Sequence, residues 1–130
     1  MKKIVAAIIL SFPTISLGAD IAEEAKKAID LQISEYRDKG VSGYIAAMAK
    51  TNPMISDKTI ESQMLGSMTS VEGMCGKATG YSIKVISKLT EESANALFVI
   101  NLERCPLFVR QVFYKSKAGQ ITSPNFYFHT

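Results

Sequence analysis

At Lys77 the hydrophobic period of this chain changes, and that change constrains the fold more than any motif. Before Lys77 apolar residues return every three or four positions; after it they return every second position. Tyr81, Ile83 and Val85 alternate with Ser82 and Lys84, and Leu97 to Leu102, Leu107 to Tyr114 and Ile121 to Phe128 follow as further β-rich runs. The breaks between runs are Thr90-Glu91-Glu92-Ser93, Arg104-Cys105-Pro106 and Lys117-Ala118-Gly119. Breaks of that length suit hairpins, whereas parallel neighbours need long crossovers. The second half is therefore expected to be a four-stranded antiparallel meander.

The first half reads as three helices. Ile21, Ala25, Ala28, Ile29, Ile33 and Tyr36 mark an amphipathic helix over Asp20 to Lys39, with Gly40 as its stop. A shorter helix over about Ser42 to Lys50 would bury Tyr44, Ile45 and Met48 until Asn52-Pro53 breaks it. Ser56 reads as the cap of a third, whose apolar stripe is Ile60, Met64, Leu65 and Met68. The Gly-, Ser- and Thr-rich stretch from Gly66 to Gly76 then reads as a loop. Three helices ahead of a meander predict an α+β domain with the helices packed on one face of a curved sheet. The third strand is partly apolar on both sides: Val109 and Phe113 share a face with Gln111, and Phe108, Val112 and Tyr114 share the other with Arg110. Such a strand is covered on both sides or lines a cavity on one.

Ahead of this domain, Lys2 and Lys3, the apolar run Ile4 to Leu10 and the small-residue end Leu17-Gly18-Ala19 form the pattern of a secretory leader. A spanning helix needs about 20 mostly apolar residues, and Pro13 interrupts this run. Residues 1–19 are thus expected to be a signal peptide and residues 20–130 a single exported domain, periplasmic or secreted, without a membrane anchor. Of the 15 Lys and Arg, two lie in the leader, which leaves 13 against 12 Asp and Glu. Such a balance offers no basic footprint for nucleic acid.

Cys75 and Cys105 are the only cysteines. In an exported chain an even count points to a disulfide, and the spacing fits neither a metal site nor a Cys-x-x-Cys redox pair. Topology agrees. The start of the first strand and the turn after the second lie at the same end of a meander, on neighbouring strands. No Gly-rich loop joins a strand to a helix, no serine has a visible base partner, and no carboxylates have ligand spacing, so neither cofactor nor metal is implied. His129, one residue from the end, reads as an exposed side chain. Met48, Met54, Met64, Met68 and Met74 read as packing residues rather than thioether ligands. Arg110 must pair with a carboxylate such as Glu103 or Glu72, reach solvent, or face a ligand.

Gly80-Tyr81 and its alternating strand, Cys105-Pro106-Leu107-Phe108-Val109-Arg110, Phe113-Tyr114-Lys115 and the closing Asn125-Phe126-Tyr127-Phe128 resemble small exported proteins of the nuclear-transport-factor-2-like, or cystatin-like, fold. The resemblance implies a conical pocket between helices and sheet, lined here from Tyr44, Met48, Tyr81, Phe98, Arg110 and Tyr127. Catalytic members place a His, Asp or Tyr combination inside that cone, and this chain has no internal histidine. The expectation is a non-catalytic binding module for a small molecule or a protein partner, with a homodimer through the sheet as one form. The alternatives are a cyclase- or isomerase-type enzyme using tyrosine and arginine, or an effector or inhibitor acting through its sheet surface.

Overall fold

The structure, a computed structural model, describes residues 20–130; the expected leader lies outside the described residues. Helix α1 spans Ile21–Ala49, with Asp20 in extended conformation at its start and Glu23 and Glu24 in its first turn, where carboxylates suit the helix dipole. Its buried face, Ile21, Ala25, Ile29, Gln32, Ile33 and Tyr36, follows the predicted stripe with Ala28 at its margin. The three-helix expectation is corrected here. At Gly40 the helix breaks into two segments that meet at a kink with no loop between them and form the one element α1, so the described residues hold two α-helices. Gly40 alone leaves helical geometry, at φ 77° and ψ −162°, a region that essentially only glycine occupies, and the helix resumes at Val41 with no connecting loop. Gly43 makes so tight a restart possible: a Cβ there would lie 2.6 Å from the Glu35 carbonyl oxygen. Beyond the bend the helix buries Val41, Tyr44, Ile45 and Met48.

Asn52-Pro53 ends α1 as predicted, and a single 3₁₀ turn, Pro53–Ser56, leads to helix α2, Lys58–Cys75. The cap of α2 is Asp57 rather than Ser56; its Oδ1 accepts from the Thr59 and Ile60 amides at 2.8 and 3.3 Å. The loop predicted from Gly66 to Gly76 is instead helical to Cys75. Burial of Met64, Met68 and Cys75 on one side overrides the poor propensity of Gly66 and Gly73, which lie in open space on the other.

Strands β1 (Ala78–Thr90), β2 (Ser93–Leu102), β3 (Pro106–Lys115) and β4 (Ile121–His129) form an antiparallel sheet in sequence order. The register slips at three places between β1 and β2 and once between β3 and β4, each a site where a strand bends and twists. One slip changes the pattern read from the sequence. Ile83 faces the core beside Phe98, but the bulge at Lys84 turns Val85 to the opposite face, where it stands 46% exposed.

Helix α1 packs across β1, β2 and β3, and α2 packs on α1. The core lies between helices and sheet: Ile29, Ile33, Tyr44, Ile45 and Met48 meet Ala94, Ala96, Phe98, Ile100, Val109 and Phe113. Lys115 holds Glu24 at 2.9 Å and Lys88 holds Asp20 at 3.3 Å, so two ion pairs dock the start of α1 onto the sheet. At the other end the expected Cys75–Cys105 disulfide joins the last residue of α2 to the β2–β3 turn, with Cα atoms 5.3 Å apart. Arg104 reinforces this end by donating from Nε to the Met74 carbonyl at 3.1 Å and from Nη2 to that of Gly73 at 3.4 Å.

Candidate functional site

The six residues expected to line a cone separate into two groups. Tyr44, Met48 and Phe98 are at most 1% exposed and fill the core, with Tyr81 packed at its margin. Arg110 and Tyr127 lie directly opposite each other on β3 and β4, on the face turned away from the helices. Alternation across a strand is the reason: Val109 and Phe113 point inward, so Arg110 between them points outward. The sheet therefore stands between the tyrosine of α1 and the arginine of β3, and Tyr44, Met48 and Phe98 are packed in the core.

The core-side tyrosines are held neutral. The Tyr36 and Tyr44 rings stack at 5.2 Å, and neither hydroxyl has a hydrogen-bond partner among the described residues. Burial, followed by the neighbouring Glu72 carboxylate, pushes the Tyr36 hydroxyl up to about 12. That carboxylate is near enough to act by charge but does not accept a well-formed hydrogen bond from the hydroxyl. Burial also raises Tyr44, with Tyr36 contributing. Neither is an available phenolate near neutral pH. A solvent-open cleft of about 420 Å³ lies beside the bend, between Arg37, Lys39, Glu72 and Lys77.

The outward face of the sheet is a second feature. The register aligns three cross-strand rows on it: Ser82–Val99–Phe108–His129, Val85–Leu97–Arg110–Tyr127 and Ser87–Asn95–Val112–Asn125. No described element covers these rows. Tyr127 is 64% exposed, Tyr114 45% and Phe108 37%, while Leu97, Val99 and Val112 are partly shielded by their neighbours. His129 stacks on Phe108 with ring centroids 5.4 Å apart. Around Arg110 the face dips into a depression of about 170 Å³ walled by Leu97, Phe108, Tyr127 and His129. Large apolar side chains left exposed together on one face, interleaved with polar ones, suit an interaction site.

Arg110 has no carboxylate partner among the described residues: Glu103 accepts from the Lys77 amide at 3.0 Å, and Glu72 lies beside Tyr36. The sequence held a signal for this that the strand patterns alone did not carry. None of the four strands contains Asp or Glu, and no acidic residue follows Glu103. Among the described residues no group of His, Cys, Asp and Glu is placed to hold a metal ion, and no helix is long and apolar enough to cross a membrane. Compared with protein-family models, curated proteins and solved structures, the chain matches none.

Proposed function

We propose that this chain is an exported, non-catalytic interaction module of nuclear-transport-factor-2-like, or cystatin-like, build that engages a protein partner through the outer face of its sheet. The leader pattern and the disulfide support export, and two helices followed by a four-stranded antiparallel meander support the fold assignment. The observation that carries the function is the uncovered face, where Phe108, Tyr114, Tyr127 and Val85 remain exposed while the opposite side of the two central strands is fully buried. The separation of Tyr44 from Arg110 by the sheet weighs against an enzyme in which tyrosine and arginine act on one substrate.

Photocrosslinking side chains installed in the exporting cell at Tyr127, Phe108 and, as a control on α2, Ser70 test this reading. Specific adducts with another protein are expected from the two sheet positions and not from Ser70. Adducts from Ser70 alone, or equally from all three, would defeat it.

A further inference from the structure

Resting on the sheet-face reading, we propose that the partner inserts an Asp or Glu side chain, flanked by apolar residues, into the depression around Arg110. The charge distribution leads there. Of the cations from Lys77 onward, Arg104 is engaged with the C-terminal carbonyls of α2, Lys88 with Asp20 and Glu91, and Lys115 with Glu24, while Lys77, Lys84, Arg110 and Lys117 have no ion pair among the described residues. Arg110 is left with its guanidinium unmatched at the centre of a face that carries no acidic side chain. Its planar fork of donors matches a carboxylate geometrically. Leu97, Phe108 and Tyr127 wall the depression, so a partner seated on the face would shut out water and strengthen that charge-assisted bond.

The same distribution disfavours the other occupants. A second copy of the chain, packed face to face about a two-fold axis, would bring Arg110 towards Arg110 with no carboxylate on either face to separate them. Nucleic acid or an anionic membrane would call for a cluster of cations, whereas in these three rows Arg110 stands among uncharged polar and apolar side chains and beside His129. An acidic and apolar peptide segment satisfies both features at once.

The test is selection of a phage-displayed random peptide library on the immobilised disulfide-bonded protein, followed by titration of synthetic copies of the enriched peptides. Enriched sequences are expected to share an Asp or Glu next to aliphatic or aromatic residues. Arg110→Leu should weaken them by at least about tenfold, as should replacing the peptide's acid by its amide. Combining the two changes should be little worse than either, because both remove one contact. Phe108→Ser should weaken every peptide that uses the face. Peptides lost with Phe108→Ser but carrying no acid, or indifferent to Arg110→Leu, overturn the carboxylate proposal and leave the sheet-face reading standing. Peptides indifferent to both substitutions remove both readings. A library that yields no enrichment on protein shown to be folded by circular dichroism also overturns the proposal. So does a wild-type dimer in sedimentation that Phe108→Ser disperses, since that makes the occupant a second copy.

Discussion

On its two central strands the sheet carries large apolar side chains on both faces, yet one face is buried and the other is left in water. On β2 and β3, Ala96, Phe98, Ile100, Val109 and Phe113 are fully buried under α1, while Leu97, Val99, Phe108, Val112 and Tyr114 keep part of their surface in water one residue away. Hydrophobicity alone does not distinguish the two sets. The inner set gains complete removal from water and close packing on both flanks; the outer set gains only what its cross-strand neighbours shield. Polar residues divide in the same way: Gln111 is 1% exposed with Oε1 unpartnered, while its neighbour Arg110 reaches the open face. One face of this sheet holds the fold together and the other stays open to solvent.

The sharpest way to break that comparison is to truncate one phenylalanine on each face. Phe98→Ala should cost about 3 to 5 kcal/mol, because it leaves a cavity in a packed core. Phe108→Ala, on the exposed face, should cost roughly 1 kcal/mol or less. Denaturant unfolding of both variants reads the difference directly, and equal losses would mean that the outer face is structural.

A smaller effect is expected where α1 bends to cover the inner face. Gly40→Ala forces a side chain into a backbone region that only glycine favours, so it should destabilise by about 1 to 3 kcal/mol even though the Cβ meets no neighbour within 4 Å. A variant with unchanged stability would show that the bend is not needed to seat Tyr44 and Met48 on the sheet.

The smallest effect belongs to the core-side tyrosines and appears only at high pH. The folded state raises the Tyr36 hydroxyl from 10.0 to about 12, so it holds the proton more tightly than the unfolded chain does. Stability from this group is therefore complete below pH 10 and falls as pH rises towards 12, by up to roughly 2 kcal/mol; Tyr44 acts in the same direction. Tyr36→Phe should make the decline between pH 10 and 12 shallower. At pH 7 it should change stability little, because the hydroxyl it removes is buried without a partner. Thermal melts across that pH range check both, and an unchanged slope would show that Tyr36 is wetter than its packing indicates.

Much of the architecture was legible before any coordinates. The period-two runs located all four strands, their short breaks implied the antiparallel meander, and a count of two cysteines in a chain with an export pattern implied the Cys75–Cys105 bond, with which the meander topology agrees. These features are local or follow from chain connectivity, and short turns leave the chain few alternatives. The errors are equally instructive. Gly66 to Gly76 reads as a loop because glycine disfavours helix, and contacts from distant residues outweigh that preference in α2; at Gly40 helical geometry does break, but with no loop, so the segments on either side form the one element α1.

Residue alternation by itself determined that Arg110 and Phe113 lie on opposite sides of β3, and composition determined that no acidic residue follows Glu103 to neutralise that arginine locally. Which side would be the inside was settled only in three dimensions. Both faces of β3 are apolar enough to be buried, but the two helices supply one covering layer, and the bend at Gly40 with the docking of α1 on β1, β2 and β3 lays that layer on the Val109 and Phe113 side. Tyr44 and Phe98 became core and Arg110 and Tyr127 became surface for that physical reason: a sheet with one layer of helices can hide only one of its faces from water.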